Sequence, residues 1–195
     1  MEKKISIISN INEYRIDDLI ELIHLSFEER TNQGLLFKYR KISKSELITY
    51  CHQKLLLSYE IDNNIAGVIF FTIKGNLCLM GIVATHPSYK RHGIATSLYE
   101  KLEKYCLSKR IVFLYSDTAT KAKSSILWHE KMGFKKFKMT SFPSTNYYSW
   151  EFVKDIKNPN RNFIKRNIHL FLSSIKCLLC WDKNGKLTRI GKIFN

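Results

Sequence analysis

The sequence lacks the long hydrophobic segments that direct a chain into or across a membrane. Its first ten residues, MEKKISIISN, hold only a four-residue apolar patch, which is too short for a secretory signal. The longest apolar stretch, residues 163–181, is interrupted by three basic residues and a histidine, so it does not predict a spanning helix. We therefore expect no export and a cytoplasmic location.

Cysteine is scarce, and its spacing excludes a disulfide framework. The chain has five cysteines, and an odd number without regular spacing favours reduced thiols. Cys177 and Cys180 form a Cys-x-x-Cys pair, but no second pair completes a zinc site. We interpret both as buried thiols rather than as a redox or metal site, and we expect no metal.

Acidic residues are also few, with 17 Asp and Glu against 32 Lys and Arg, which gives a net charge of +15. Residues 1–153 hold 22 basic and 15 acidic residues, or +7, whereas residues 154–195 hold 10 and 2, or +8. This basic end could contact nucleic acid, an anionic membrane or an acidic partner, or it could be a solvated face. We do not expect a nucleic-acid partner, because the sequence shows no helix-turn-helix, zinc module or aromatic-basic interleaving.

Short elements with clear periodicity make up most of the chain. The composition, 45% hydrophobic and 13% aromatic, suits a domain that folds by itself. Helical spacing of apolar residues predicts a helix from Asn12 to Phe27, and Ser43 with Glu46 predicts the capped start of a second helix. Three β-rich runs separated by turn residues predict an antiparallel meander over Leu55–Ile61, Ile65–Ile73 and Leu77–Thr85.

The second half predicts a mixed sheet flanked by helices, an α/β fold. The third run, LCLMGIVAT, has no polar alternation, so we place it at the centre of the sheet. An apolar stripe from Ile94 to Cys106 predicts a helix, and a strand over residues 111–115 follows with a right-handed crossover. A helix at Lys123–Met132 ends at Gly133. Two strands, at 134–139 and 147–153, complete the sheet.

We therefore divide the chain into a domain over residues 1–154 and a basic amphipathic extension over 155–195. In the extension we expect a helix from Arg161 to about Cys180, then a hairpin on an Asn184-Gly185 turn. The apolar face of this helix could dock on a membrane, cover the sheet or form the seam of a homodimer. We favour packing over docking.

The loop before the helix at Ile94 has the features of an anion-binding site. The first N–H groups of a helix have no partner within it and carry partial positive charge. Gly93 lets the backbone approach a ligand closely, and Lys90, Arg91 and His92 add charge. A phosphate or pyrophosphate would suit this loop, although many helices begin in a similar way without a ligand.

Two motifs about forty residues apart give the chain a resemblance to the GNAT superfamily of N-acetyltransferases. The family's Arg/Gln-x-x-Gly-x-Gly/Ala loop, which holds the pyrophosphate of acetyl coenzyme A, is matched by Lys90-x-x-Gly93-x-Ala95. The family's Tyr-Glu-Lys-x-Gly-Phe-like element is matched by HEKMGF at residues 129–134. The order of elements from Lys4 to Val153 is similar too, whereas 155–195 lies outside the resemblance.

The resemblance implies a GNAT-like fold and acetyl coenzyme A as co-substrate, held by one strand and the loop after it. Lys90 replaces the usual Arg or Gln, which keeps a charge but loses planar two-pronged geometry. Thr96 either donates its hydroxyl to phosphate or is an ordinary helix residue. The expected coenzyme-binding residues are Ile82, Val83, Ala84, Thr85, Lys90, Arg91, His92, Gly93, Ile94, Ala95 and Thr96.

His129 stands where many family members carry a tyrosine thought to protonate the departing thiolate. A thiol pKa of about 8.5 makes the thiolate a tolerable leaving group, so only modest help from an acid is needed. His129 could supply that proton, since histidine titrates near physiological pH, or it could be a plain helix-surface residue.

Only a neutral amine attacks a thioester. Keeping the amine neutral at pH 7 costs roughly 4.6 kcal/mol for a lysine-like amine but about 1.1 kcal/mol for an α-amino group. The strand LCLMGIVAT lacks the glutamate that many family members place there as a base, so we expect an amine of lowered pKa, such as an α-amino group or an amino sugar. Asp117, just past the strand at 111–115, is the candidate to orient the amine. The alternative is that it is a loop or helix-capping aspartate. Glu28 and Glu29 border the acceptor side or are surface residues.

Together these features predict an N-acetyltransferase that passes an acetyl group directly from acetyl coenzyme A to a small-molecule primary amine, without a covalent enzyme intermediate. Two alternatives remain open. The chain could be a non-catalytic acyl-CoA-binding module that docks on a membrane or nucleic acid through its basic tail, or it could acetylate a protein or peptide.

Overall fold

The computed structural model describes residues 2–11, 14–52, 54–158 and 164–193, without the side chains of 164–169. Six α-helices, a short 3-10 helix (Pro87–Tyr89) and seven strands are found in these residues. The helices are α1 (Ile16–Asn32), α2 (Lys44–Cys51), α3 (Ile94–Ser108), α4 (Lys123–Lys131), α5 (Ile164–Cys180) and α6 (Arg189–Ile193). The strands are β1 (Lys3–Ile8), β2 (Leu55–Ile61), β3 (Asn64–Lys74), β4 (Leu77–Thr85), β5 (Phe113–Ala119), β6 (Lys135–Ser141) and β7 (Tyr148–Asp155).

The seven strands form one sheet in the order β1-β2-β3-β4-β5-β7-β6. Only the β4–β5 pair is parallel, and all other neighbours are antiparallel. The predicted mixed sheet and its antiparallel meander are confirmed. β4 occupies the middle of the sheet, as its unbroken apolar sequence predicted, because helices cover both of its faces.

Helices lie on both faces of the sheet and give it two cores. On one face α3 and α4 pack through buried side chains that include Ile94, Leu98, Leu102, Phe71, Phe134 and Phe152. On the other face α1 and α2 pack through Leu19, Ile23, Leu47, Val68, Phe70 and Ile82. The sheet therefore separates two sides of the molecule.

On the second face α2 begins with the predicted cap, whereas the bounds of α1 differ from the prediction. Ser43 and Glu46 form the predicted capping box, with the serine oxygen accepting from Glu46 N and the glutamate accepting from Ser43 N. α1 begins at Ile16 rather than at the predicted Asn12, which lies outside the described residues. α1 also continues past the predicted end at Phe27 to Asn32, and in this last part the Thr31 hydroxyl donates to the Phe27 carbonyl.

The strand predicted at residues 111–115 is displaced towards the C-terminus. β5 starts at Phe113, where the N–H groups of Val112 and Phe113 both donate to the carbonyl of Asn76, the residue before β4. The strand then runs on through polar residues to Ala119, since every residue from Phe113 to Ala119 has a partner on β7. Asp117 is therefore inside β5 and not beyond it, which corrects the prediction.

The C-terminal segment packs beside the outer strands. α5 lies within the range predicted for a helix, and residues 161–163 of that prediction lie outside the described part. The Ser141 hydroxyl donates to Asp182 O at 2.5 Å and the Tyr148 hydroxyl to Trp181 O at 3.1 Å. The predicted Asn184-Gly185 turn is present, but it closes a single bridge, Trp181–Leu187, before α6 begins. Among the described residues, no helix is long and apolar enough to span a membrane.

Candidate active site

The two central strands separate along their length. β4 and β5 pair only where Leu77–Leu79 lies beside Phe113–Tyr115. Beyond Leu79 and Tyr115 both strands continue towards their carboxyl ends without pairing to each other. β5 stays bonded to β7 and β4 to β3, so the sheet opens in the middle while both halves remain intact.

A β-bulge in β4 marks the start of this opening. Met80 pairs with Phe71 and Val83 with Ile69, so Gly81 and Ile82 together lie opposite Phe70. The extra residue turns the strand: Cys78 and Met80 face α3, whereas Ile82 and Ala84 face α1 and α2. Gly81 is exposed even though it lies in the central strand.

The Tyr50 hydroxyl occupies the space above the bulge. Ile82 N donates to this oxygen at 3.0 Å, and a Cβ added to Gly81 would lie 2.1 Å from it. Glycine at position 81 is therefore needed for Tyr50 to reach the strand. Burial raises the pKa of Tyr50, so its hydroxyl stays protonated at neutral pH.

The N-terminus of α3 presents free backbone amides beside the end of β4. Gly93 is the N-cap residue at φ 78°, and it has no side chain that could cap the helix. The first intrahelical acceptor is Gly93 O, which binds Ser97 N, so the amides of Ile94, Ala95 and Thr96 point into the loop. A Cβ on Gly93 would meet nothing within 4 Å. This open, amide-lined end fits a phosphate group.

Close packing of β3 fixes where α3 begins. A Cβ on Gly67 would lie 2.6 Å from Ile94 Cγ2, so only glycine lets the first turn of α3 approach the sheet. Ile94 itself is buried at 3% exposure. The amide-lined end of α3 is thereby held next to the carboxyl end of β4.

Lys90 and Glu29 form an ion pair across the mouth of the loop. Lys90 Nζ lies 2.5 Å from Glu29 Oε2, and both side chains are partly exposed. The hydrogen bond from Lys90, and then its charge, lowers the pKa of Glu29. Arg91 and His92 are exposed, and His92 Nδ1 is 3.0 Å from Lys90 O. The loop cations are therefore close together, with one of them bonded to α1.

Asp117 lies at the level of the bulge on the other side of the opening. Asp117 of β5 and Gly81 of β4 each lie two residues beyond the Leu79–Tyr115 pair, where the two strands no longer pair. Both residues are exposed, which shows that the opening is accessible to solvent. Desolvation by surrounding protein atoms, and then the charge of Glu151, raise the pKa of Asp117 to about 6. A carboxylate that solvent can reach, but that protein atoms largely surround, is typical of a cleft.

Tyrosines and a second acid surround Asp117. Burial is the largest cause of the raised pKa of Tyr50, Tyr115 and Tyr147, and the charge of Asp117 contributes to all three. Glu151 is the cross-strand partner of Asp117 and is buried, with Lys138 Nζ at 3.6 Å. The site therefore combines two carboxylates with neutral hydroxyl groups, which suits a cationic ligand.

His129 lies in the core rather than on the surface of α4. The side chain is 4% exposed and its ring stacks on Phe152 at 4.6 Å. Nδ1 lies 2.7 Å from Ser125 O and Nε2 lies 3.0 Å from Ser116 Oγ. The carbonyl can only accept, so Nδ1 carries the proton and Nε2 accepts from Ser116. Burial lowers the pKa of His129 to about 4.

The predicted role of His129 as proton donor therefore meets a physical obstacle. At neutral pH the ring is uncharged, and its one N–H is already bonded to Ser125. The interpretation as a helix-surface histidine is wrong, since the ring is buried. A donor role stays a prediction, and it would require the histidine to give up a hydrogen bond inside the core.

The predicted coenzyme-binding residues fall into two groups in the structure. Those of the loop and helix start, from Lys90 to Thr96, come together around the open amides of α3. Those of β4, from Ile82 to Thr85, line the opening, but Ile82 N already donates to Tyr50 and Thr85 N donates to Ser26 Oγ at 3.2 Å. Fewer β4 amides are thus free for pairing than the prediction assumed.

Four residues of the site were not predicted, namely Tyr50, Tyr115, Tyr147 and Glu151. Helical spacing from the buried Leu47 to Tyr50 could have placed the tyrosine on the inner face of α2. Alternation along β7 gives the side of the sheet on which Glu151 lies. That Glu151 pairs with Asp117 depends on the β5–β7 register, which has no local sequence signal.

The comparisons with known proteins agree with this geometry. The sequence profile of the acetyltransferase (GNAT) family matches residues 16–134, more than half of the chain, and the protein belongs to this family. No curated protein sequence matches the chain significantly.

Solved structures of acetyltransferases share the fold. A PaiA N-acetyltransferase from Thermoplasma acidophilum, in complex with coenzyme A, has a TM-score of 0.66 at 21% identity, over 80% of this chain and 99% of its own. The ribosomal-protein-S18-alanine N-acetyltransferase of Escherichia coli gives 0.62 at 15% identity, over 80% and 94%. An IAA acetyltransferase of Bacillus cereus gives 0.61 at 13%, over 79% and 99%. Family and fold together identify an acyltransferase that uses acetyl coenzyme A.

Gly93→Ala should weaken coenzyme binding. A left-handed conformation costs an L-residue about 1–2 kcal/mol, and the new methyl group would project beside the amides that face the phosphates. We expect about tenfold weaker binding of coenzyme A by calorimetry. Gly75→Ala is the matched control, because Gly75 also has positive φ (58°) and open space but lies in the β3–β4 turn. Equal affinities of the two variants would contradict the assignment of the loop.

His129→Phe should destabilise the protein more than it slows acetyl transfer. The change removes two hydrogen bonds and leaves the buried Ser116 hydroxyl without its acceptor, which costs about 1–3 kcal/mol. Because the folded-state pKa is lowered, His129 favours folding above pH 6.5 and loses this contribution as the pH falls towards 4. Thermal melts should show a shallower decline over that range in the variant. A folded variant with much slower single-turnover transfer would instead establish the donor role.

Proposed function

We propose that the protein transfers the acetyl group of acetyl coenzyme A directly to the primary amine of a small molecule. One observation carries this proposal: the opening between β4 and β5 has the free amides of α3 at one end and the accessible Asp117 at the level of the bulge. A coenzyme whose diphosphate binds at α3 would direct its thioester into the opening. An amine approaching from the α1–α2 side would meet it beside Asp117.

In the proposed reaction Asp117 takes one proton from the ammonium form of the substrate, which frees the nitrogen lone pair. The lone pair forms the new C–N bond to the acetyl carbon and the C–S bond breaks, while the second proton lost by the nitrogen passes through water to the departing thiolate. A carboxyl with a pKa of about 6 is mostly ionised at pH 7 and can therefore accept a proton. Water suffices for the thiolate because the thiol pKa is only about 8.5.

An amine of lowered pKa fits this base best. Proton transfer to Asp117 from an α-amino group, with a pKa near 7.8, is much less uphill than from a lysine-like amine near 10.4. The carboxylates of Asp117 and Glu151 would attract the ammonium form of the substrate before it loses its proton. We therefore favour an α-amino group or an amino sugar as acceptor.

Aromatic side chains border the acceptor side. Phe37 stacks on Phe27 with 5.1 Å between ring centroids and lies 5.1 Å from the ring of Tyr147. These rings join α1 to the loop that precedes β7. Of these three rings only Phe37 is half-buried, so an acceptor bound there would contact Phe37 near the carboxylates, which suits a small amphiphilic amine or the first residues of a peptide.

A screen for released thiol tests the proposed activity. Amino acids, amino sugars, nucleotide-linked amino sugars, lysine-like amines and short peptides are incubated separately with the protein and acetyl coenzyme A. We expect turnover with amines of lowered pKa and little with lysine-like amines. Preference for peptides over every small amine would favour protein acetylation. Binding of coenzyme without turnover on any amine would favour a non-catalytic acyl-CoA-binding module.

Asp117→Asn should remove the acidic limb of the pH–rate profile. In the wild type kcat/KM is expected to fall below about pH 6, as Asp117 becomes protonated and can no longer accept a proton. The amide cannot titrate, so the variant should be slower by about 10²-fold or more and show no such limb.

Two controls accompany this variant. Glu100→Gln changes an exposed carboxyl on α3 and should leave the rate and the profile unaltered. The melting temperature of Asp117→Asn should not fall, because a poorly hydrated carboxylate does not favour the folded state. A variant that keeps both the wild-type rate and the acidic limb would exclude Asp117 as the base.

A further inference from the structure

Helix α5 turns its small residues inwards and its large apolar residues outwards. Cys177 and Cys180 are buried, and Ser173 and Ser174 are half-buried with both hydroxyls donating to Leu170 O. The outward residues follow helical spacing in one continuous stripe. They are Phe171 (65% exposed), Leu172 (58%), Ile175 (40%), Leu178 (53%) and Leu179 (48%).

The turn and helix after α5 extend this exposed surface. Thr188 N donates to Cys180 O at 2.9 Å, and a Cβ on Gly191 would lie 2.1 Å from the same oxygen. α6 is therefore fixed against the end of α5. The turn adds one exposed apolar side chain, Leu187, and α6 adds two, Ile190 and Ile193. We call the eight exposed apolar residues of 171–193 the apolar tail surface.

This concentration is specific to the tail. Of the twelve large hydrophobic residues exposed among the described side chains, eight belong to the apolar tail surface and only four lie elsewhere. Scattered exposed leucines need no explanation, whereas a cluster on one short segment marks an interaction surface. The inward face is already occupied by the sheet edge, so the partner must come from outside the described chain.

Basic residues accompany the apolar ones. The exposed cations of this segment are Lys176, Lys183, Lys186, Arg189 and Lys192. The only acid between residues 170 and 193 is Asp182, which is half-buried and accepts from Asn184 N and Lys186 N. The surface is therefore positively charged as well as apolar.

The positive charge of the apolar tail surface distinguishes between the partners that could cover it. A second copy bound symmetrically would bring the same five cations against each other, and like charges facing each other oppose association. Anionic lipid headgroups neutralise these cations, while the acyl region accepts the apolar stripe. An amphipathic basic helix of this type lies in the plane of the membrane interface rather than across it, in agreement with the absence of a membrane-spanning helix among the described residues.

We propose that the apolar tail surface docks the protein on anionic lipid membranes, with α5 lying in the interface. The Phe171–Leu179 stripe inserts among the acyl chains, and the lysines and Arg189 contact the headgroups. The proposal does not depend on the proposed acetyl transfer, because vesicle binding is measured without substrate.

Vesicle flotation of the full-length chain tests the proposed membrane docking. Vesicles of phosphatidylcholine alone are compared with vesicles that contain about 30% phosphatidylglycerol. We expect binding to the anionic vesicles, little to the neutral ones, and loss of binding as NaCl is raised to about 0.5 M. Phe171→Gln with Leu178→Gln should weaken the partition at least about tenfold, because both large side chains leave the apolar phase.

Matched variants separate the contributions. Leu127→Gln removes an apolar residue that is also 65% exposed but lies on α4, and it should bind like the wild type. Lys183→Glu with Lys186→Glu should weaken binding to anionic vesicles about tenfold or more, since each basic residue near the surface contributes about 1 kcal/mol. Circular dichroism and melting temperature show that each variant is folded.

Three outcomes would overturn the proposal. These are no flotation with anionic vesicles, equal binding to neutral and anionic vesicles, and vesicle binding that the Phe171 and Leu178 changes leave intact. Light scattering after gel filtration identifies the alternative occupant. A dimer that those two changes convert to monomer, together with no flotation, would show that a second copy covers the surface.

Discussion

The parting of β4 and β5 after Leu79 and Tyr115 is the constraint on which the rest of the molecule depends. A paired sheet would satisfy the amides of both strands and bury Gly81 and Asp117 between neighbours. Separation exposes both residues and places the N-terminus of α3 beside the free edge of β4. The bulge contributes because its extra residue turns β4 away from the register it shares with β5.

The chemistry of Asp117 also follows from this opening. In a closed sheet an ionised aspartate would have no hydration, and on a surface it would have its ordinary pKa. The opening gives it solvent on one side and Glu151, Tyr115 and Tyr147 on the others, which leaves it accessible but reluctant to ionise. A carboxylate with a raised pKa is a stronger base than an exposed one. If Asp117 is the base, as proposed, the reaction needs no base on β4.

Much of the fold could be predicted because it rests on local signals. Ser43 and Glu46 predict the start of a helix, and alternating and apolar runs predict β2 to β4. The spacing from Lys90 to Ala95, together with HEKMGF, indicates the family. The displaced β5 and the burial of His129 could not be predicted, because both depend on contacts distant in sequence. Polar residues stay in β5 only through β7, and His129 is buried only because Ser116 of β5 and Phe152 of β7 meet its ring. Glu29 likewise gains its importance from Lys90, which lies 61 residues away.

The Lys90–Glu29 pair gives a physical reason why a lysine can serve where the family usually has Arg or Gln. An exposed ion pair contributes about 1 kcal/mol or less, so releasing Glu29 costs little, whereas a diphosphate offers the ammonium more negative charge. A compact ammonium on a flexible stem can exchange one anion for the other by rotating, since it does not depend on a planar two-pronged contact. In the proposed function, coenzyme binding would thus free Glu29 on α1, the helix that borders the acceptor. The arrival of the first substrate would then change the charge that the second one meets.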